Sequence, residues 1–171
     1  ALTGFNPAVP RLLVVVMGAF TVGSTYSLAR ILGLGKFGSF IAALIMLTSP
    51  HHILINSHVA WSNSMIGFFT TPLLVTLALA IKRQQAKWLL AAGVLAGLAL
   101  QAHPVVIIML PGIVSWFLIE PQGRKFMRTR WPYLGLLLAA LVYGVVIIHN
   151  LQASLNGVAE AQSRLYIWQT N

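Results

Sequence analysis

The chain has 171 residues, of which 58% are hydrophobic and only 8% are charged, and its formal net charge at pH 7 is +9. A soluble domain carries about a quarter charged residues, so this composition excludes an ordinary soluble fold and indicates several membrane spans. The absence of cysteine excludes disulfides, thiolate metal sites and a cysteine nucleophile. The positive charges form no basic stripe with interleaved aromatic residues, so no nucleic-acid partner is expected.

Six apolar segments follow one another along the chain, most of them near the about 20 residues that a helix needs to cross a bilayer. We therefore predict an all-α polytopic membrane protein with about six transmembrane helices, located in the inner or plasma membrane. The predicted segments are about Val9–Leu34, Phe37–Leu47 (stopped by Pro50), Ala60–Ile81, Trp88–Ala102, Val105–Ile119 and Trp131–Ile148.

Basic residues alternate with the segments. All of the Lys and Arg residues except Arg11 and Arg164 fall in the first, third and fifth loops. Cytoplasmic loops are enriched in Lys and Arg, so these three loops are predicted to be cytoplasmic and both termini extracytoplasmic. Residues 1–150 are then a transmembrane helical domain, and residues 151–171 are an extracytoplasmic interfacial tail.

Two glycines of the fourth segment, Gly93 and Gly97, have the spacing that allows membrane helices to approach closely. Ordinary use of glycine in membrane helices explains the same spacing, and the sequence does not decide between the two.

The histidines all map to the extracytoplasmic ends of the predicted helices. Imidazole can ligate a metal, carry protons or donate a hydrogen bond to a phosphate, whereas a solvated interfacial histidine needs no function. His103 is the strongest single candidate, because it ends an apolar helix directly before Pro104. The complete set is His51, His52, His58, His103 and His149.

No familiar hydrolase, nucleotide-binding or zinc-protease motif is present, and no carboxylate near the histidines completes a metal site. The sequence therefore leaves both the metal and the cofactor unidentified. A polar cluster, Ser62-Asn63-Ser64, lies at the mouth of the third segment, and helix capping explains it as well as a binding role does.

Several stretches together resemble the GT-C membrane glycosyltransferases, the relatives of protein O-mannosyltransferases and aminoarabinose transferases. The resemblance covers about residues 4–115 and depends on the order and spacing of the motifs. They are Gly4-Phe-Asn-Pro-Ala-Val-Pro-Arg11, the helix end Tyr26-Ser-Leu-Ala-Arg30, Thr48-Ser-Pro50, Asn56-Ser-His58-Val-Ala-Trp61-Ser-Asn63-Ser64, the basic turn Lys82-Arg83-Gln-Gln-Ala-Lys87-Trp88, and the stretch from Gly93 through Gly97 and Gln101 to His103-Pro104.

This resemblance implies catalysis on the extracytoplasmic face and a sugar donor carried on polyprenyl phosphate. It implies that Arg11, His58 and His103 bind the phosphate of the donor lipid. His58 stands where many relatives have Arg, and His103 where many have Lys. Asn63 stands where relatives often have Asp, and we count it, with Asn56 and His149, among the residues expected to line the external cavity.

The acidic residue that serves this family as a catalytic base is missing. The chain contains no Asp, Glu120 is predicted to be cytoplasmic, and Glu160 lies in the unmatched tail. The chain also opens on Ala-Leu-Thr-Gly with no Met or signal pattern. We therefore expect a fragment of a glycosyltransferase that lacks its catalytic acidic loop and is inactive alone, and we assign no catalytic residue.

Two other interpretations stay open. The chain could be a non-catalytic accessory subunit of a larger membrane complex, bound to other membrane subunits and even to pigments through its histidines. It could also belong to a transporter, because Pro72 and Pro111-Gly112 interrupt two segments, although no segment carries a charge at mid-membrane. In each interpretation membrane lipids surround the chain.

Overall fold

The computed structural model describes residues 8–57 and 64–155, and every regular element in these ranges is helical. The described helices include one short 3₁₀ helix between α5 and α6. Their bounds are α1 Ala8–Ile31, α2 Lys36–Thr48, α3 Pro50–Ser57, α4 Ser64–Lys82, α5 Trp88–Ala102, the 3₁₀ helix Pro104–Met109, α6 Leu110–Ile119, α7 Pro121–Phe126 and α8 Trp131–Leu155.

Three of the described helices are long and apolar enough to cross a membrane: Val9–Ile31, Met65–Lys82 and Trp131–Gln152. A fourth span forms if α2 and α3, which bend by 56° at their junction, are counted as one. The segments Trp88–Ala102 and Pro104–Ile119 are apolar but shorter. The predicted all-α membrane architecture is therefore confirmed, whereas the count of six spans and the orientation of the termini stay predictions.

Prolines produce the breaks between several elements. A residue before proline is pushed out of the helical region by the pyrrolidine ring. Ser49, before Pro50, is accordingly extended with ψ 121°, so α2 ends at Thr48, one residue beyond the predicted Leu47. His103, before Pro104, is extended with φ −161° and ψ 127°. The segment predicted as one stretch from Val105 to Ile119 is divided into the 3₁₀ helix and α6.

Helices α5 and α8 pack in van der Waals contact through glycines. A Cβ placed on Gly93 would overlap the backbone of Gly135, and one placed on Gly97 would reach the Ala139 carbonyl at 2.8 Å. The contacts advance along both helices in the same direction, and the Gln101 amide donates to the Val142 carbonyl one turn further on. The two helices therefore run parallel, and the close-contact interpretation of Gly93 and Gly97 is confirmed.

The core lies where α4, α5, α6 and α7 meet. Its buried residues include Leu77, Leu89, Phe117 and Phe126, and the two phenylalanine rings lie 6.4 Å apart between centroids. In contrast, only 6% of the residues in the most apolar 18-residue stretch of α8 are buried. In a chain of this hydropathy such exposed helix faces suit contact with lipid.

Candidate functional site

A cavity of about 240 Å³ lies between α1, the α2–α3 junction and the start of α4. Most of its lining is apolar, and hydroxyl, amide and imidazole groups interrupt it. The lining residues are Thr21, Met46, Ser49, His51, His52, Ile55, Asn56, Ile66 and Gly67.

Glycines allow the helices around the cavity to approach one another. A Cβ placed on Gly18 of α1 would lie 3.0 Å from Asn56 Cγ, and one placed on Gly67 of α4 would lie 3.2 Å from Thr21 Cγ2. Both distances are shorter than ordinary van der Waals contact, so a larger residue at either position would displace its neighbour. The small residues therefore set the width of the cavity.

Asn56 and His52 form a connected pair one helical turn apart on α3. The Asn56 amide Nδ2 donates to the His52 carbonyl at 2.8 Å and contacts the His52 ring Nδ1 at 3.1 Å. Because Nδ2 is a donor, Nδ1 must accept, which places the imidazole proton on Nε2. The His52 ring also interacts with the Gly18 backbone. The pair therefore holds the imidazole in one orientation against α1.

The start of α3 is fixed by Ser49, whose hydroxyl oxygen accepts from the His52 backbone N–H at 3.5 Å. Serine is a preferred residue at the position before a helix, because its side chain satisfies a free backbone N–H there. The serine that ends α2 thus also orients the turn of α3 that carries His51 and His52.

One polar atom of the cavity residues is buried without a partner. Asn56 Oδ1 has no hydrogen-bond donor among the described residues. An unsatisfied buried acceptor costs about 1–3 kcal/mol. In contrast, the Thr21 hydroxyl is satisfied, since it donates to the Met17 carbonyl at 2.9 Å. This atom faces Gly18 of α1, so a ligand in the cavity would reach it only after rotation of the Asn56 side chain.

His103 lies at the joint between α5 and the 3₁₀ helix and is partly buried. Its ring Nδ1 accepts from the Val105 backbone N–H at 3.1 Å, so the side chain caps the 3₁₀ helix. The same hydrogen bond leaves the ring proton on Nε2, which keeps a donor available to a ligand. His103 thus caps the 3₁₀ helix, and its role in phosphate binding stays a prediction.

His103 lies at the same end of the helix bundle as the cavity. Helices α4 and α5 are joined by a short turn and pack along their length, so they are antiparallel neighbours. Gly67 precedes Lys82, the last residue of α4, by as many residues as His103 follows Trp88, the first residue of α5. Because α8 runs parallel to α5, His149 near its end also points to this end of the bundle.

The other predicted site residues are placed differently. Arg11 lies in the first turns of α1, is exposed and does not line the cavity. His149 is exposed on α8 and does not line it either. No hydrogen bond joins Arg11, His103 and His149 within the described ranges. Asn56 is the predicted residue that lines the cavity, and His58 and Asn63 lie outside the described residues.

The structure adds His52, which the sequence analysis noted among the histidines but did not assign to the site. Its signal in the sequence was the four-residue spacing to Asn56, which places the two side chains on one face of a helix. Within residues 8–57 and 64–155, no group of three His, Asp or Glu side chains lies close enough to hold a metal ion.

The apolar helices of membrane-crossing length define an integral multi-pass membrane protein, and the cavity and several histidines lie at one end of its helix bundle. Residues 1–149 match the family model described as dolichyl-phosphate-mannose-protein mannosyltransferase, and the chain belongs to this family of membrane glycosyltransferases. The family implies a polyprenyl-phosphate sugar donor. Comparisons with curated proteins and with solved structures gave no match.

Proposed function

We propose that this chain forms the donor-binding part of a membrane glycosyltransferase that takes its sugar from a polyprenyl-phosphate carrier. The observation that carries the proposal is the cavity beside Asn56, where hydroxyl, amide and imidazole groups interrupt a mainly apolar lining and one buried acceptor has no partner among the described residues. A sugar bears several hydroxyl donors, and one of them would pair with this acceptor when the Asn56 side chain rotates towards the cavity. Family membership supplies the chemical class of the donor.

In this proposal the sugar and the phosphate contact different residues. Asn56, with His52 behind it, accepts from a sugar hydroxyl. The phosphate is bound by Arg11, His58 and His103, since cationic and N–H donors form strong hydrogen bonds with phosphate oxygens. The polyprenyl chain lies along the lipid-facing helices. Asn63 and His149 complete the polar lining of the external side.

The proposed membrane topology has six crossings, with both termini extracytoplasmic. The parallel arrangement of α5 and α8 supports it, because the chain between them must then return across the same layer. The shorter helices α5 and α6 would meet protein or thinned bilayer. Residues 1–150 form the membrane domain of this proposal, and residues 151–171 form an external tail whose last part lies outside the described residues.

Glycosyl transfer also needs a base to accept the proton of the acceptor, and none of the residues that line the described cavity is Asp or Glu. We therefore assign this chain to donor binding and not to the complete reaction. A carboxylate from another segment or subunit would complete the site. The accessory-subunit interpretation stays as the alternative, and it requires no affinity for the donor.

Binding of a photoreactive polyprenyl-phosphate sugar to the purified chain in lipid nanodiscs tests the proposal. Arg11→Gln should weaken binding about 10–100-fold, because a hydrogen bond to a charged group contributes about 1.5–3 kcal/mol. Asn56→Ala should weaken binding of the sugar-bearing lipid but not of polyprenyl phosphate without the sugar.

The matched control is Arg30→Gln, which removes the same charge from the opposite end of α1 and should leave binding unchanged. Circular dichroism of each variant checks that the helices are retained. Equal binding by the wild type, Arg11→Gln and Asn56→Ala would contradict the assignment of the donor site. No binding by the wild type would favour the accessory subunit.

A further inference from the structure

A second cavity lies at the other side of the bundle, between α4, α5, α6 and α8. Its volume is about 280 Å³, and nearly all of its lining is hydrocarbon. Two of the α6 side chains that line it are exposed, Val114 at 53% and Leu118 at 47% of their full accessibility. The cavity is thus a groove that opens to the surroundings of the protein and not an enclosed core defect.

The groove exists because α6 is held away from α5 and α8. Phe117 inserts into the core between α4 and α7, whereas the close backbone contacts of α6 are to its sequence neighbours, the 3₁₀ helix and α7. Beside it, α5 and α8 are drawn together by Gly93 and Gly135. The space left between α6 and this glycine pair has the apolar lining that a hydrocarbon chain requires.

One end of the groove lies in the most basic segment of the chain. Met127, Pro132 and Tyr133 line the groove there, and Tyr133 is fixed by its hydroxyl, which donates to the Met127 carbonyl at 2.9 Å. The exposed cations next to these residues in the sequence are Arg124, Lys125, Arg128 and Arg130.

These cations are not neutralised within the described part of the chain. Glu120, the carboxylate closest in sequence, forms no ion pair with any of them. Arg130 stacks on Trp131, its guanidinium carbon 5.2 Å from the ring centroid, which holds one cation at the apolar boundary. An apolar groove that ends among unpaired cations is complementary to a molecule with a hydrocarbon chain and an anionic head.

We propose that this groove binds an anionic phospholipid, with an acyl chain along α6 and α8 and the phosphate headgroup at Lys125 and Arg128. Clusters of Lys and Arg beside membrane helices attract anionic lipid headgroups, and each cation contributes roughly a fivefold increase in affinity. The site is separate from the polar cavity of α1 and α3, and it does not depend on the proposed donor function.

Native mass spectrometry of the detergent-solubilised full chain tests the site, with phosphatidylglycerol and phosphatidylcholine of identical acyl chains as probes. The wild type should retain phosphatidylglycerol at least 10-fold more strongly than phosphatidylcholine. Lys125→Gln with Arg128→Gln should lower the affinity for phosphatidylglycerol about 25-fold. The control pair Lys36→Gln with Lys82→Gln removes the same total charge from other exposed positions and should leave it unchanged.

A second variant tests the groove itself. Val114→Trp fills the groove from α6 and should reduce binding of both lipids. Val145→Trp places the same side chain on an exposed position of α8 outside the groove and should not. Equal retention of the two lipids by the wild type, or equal loss in test and control variants, would overturn the proposal. A further outcome would also overturn the proposal. If the wild type is a dimer, and Val114→Trp dissociates the dimer without any effect on lipid retention, a second copy of the chain occupies the groove.

Discussion

At the scale of single residues, the polar cavity depends on a glycine that carries no chemistry. Gly18 faces Asn56 so closely that a Cβ there would lie 3.0 Å from Asn56 Cγ and would require the Asn56 side chain to shift. Asn56 in turn fixes His52 through its amide. The absence of a Cβ on α1 thus sets the position of two polar groups on α3. A sequence shows the glycine but not its partner, because the contact joins residues far apart in the chain.

Gly18→Leu is expected to displace the Asn56 side chain and break its bond to the His52 ring. Overpacking of this kind costs about 1–3 kcal/mol. Unfolding of the chain in bicelles, followed by circular dichroism, measures the loss. Gly23→Leu is the matched control on the same helix, since a Cβ there meets nothing within 4 Å. A loss of equal size in both variants would show that Gly18 has no special contact.

At the scale of elements, the sequence predicted the helices that end at strong local signals. The bounds of α5 were predicted as they are observed, because a basic turn precedes Trp88 and Pro104 follows His103. The end of α2 was predicted to within one residue from the position of Pro50. Local signals were weaker elsewhere. The division of Val105–Ile119 into two helices was not predicted, and α8 continues past Ile148 to Leu155.

The candidate site was less predictable than the helices. Asn56 was identified from a motif, and the structure places it in the cavity. Its partner His52 was visible as a neighbour on the helix, yet nothing local showed that α1 and α4 would enclose this pair. Contacts such as Gly18 with Asn56 and Gly67 with Thr21 are tertiary, and a single sequence carries no record of them.

The parallel pair α5–α8 leads to a prediction at the same scale. Gly93→Leu places a side chain where the Gly135 backbone lies, and backbone cannot move aside cheaply. The expected loss is about 3 kcal/mol, at the upper end of the usual range for overpacking. Gly144→Leu on α8 meets nothing within 4 Å and controls for the change in helix propensity. Thermal unfolding of both variants in the same detergent measures the difference, and equal midpoints would contradict the close contact.

At the scale of the whole molecule, the alternation of basic loops predicts which parts of the chain face the same side. The chain contains no cysteine, so single introduced cysteines report position without interference. Gln85→Cys in the turn before α5 and Gln152→Cys near the end of α8 should react with a membrane-impermeant maleimide from opposite sides of sealed vesicles. Labelling of both from one side would contradict the proposed topology.

The final prediction concerns activity, and it is negative. The acceptor hydroxyl or amine must lose a proton as it attacks the anomeric carbon, and a positioned base contributes typically 10²–10⁴-fold to such a step. His52 is poorly suited to this role, because its Nδ1 accepts from Asn56 and its ring also interacts with the Gly18 backbone. His103 uses Nδ1 to cap the 3₁₀ helix. Neither of these imidazoles has a free acceptor nitrogen to receive the proton. The other histidine of the cavity, His51, has no hydrogen-bond partner among the described residues that would orient it as a base.

The chain reconstituted with a polyprenyl-phosphate sugar and an acceptor should therefore bind the donor without turnover. Release of polyprenyl phosphate, measured with a radiolabelled sugar, checks this expectation, and the photoreactive donor confirms that the site is occupied in the same vesicles. Transfer that disappears in His51→Ala, His52→Ala, His58→Ala or Glu160→Gln would identify a catalytic base within this chain and contradict the assignment to donor binding alone. Transfer that appears only when a carboxylate-bearing partner segment is added would instead show that the base lies outside this chain. The residues of the donor site would then be sufficient for every part of the reaction except the proton transfer.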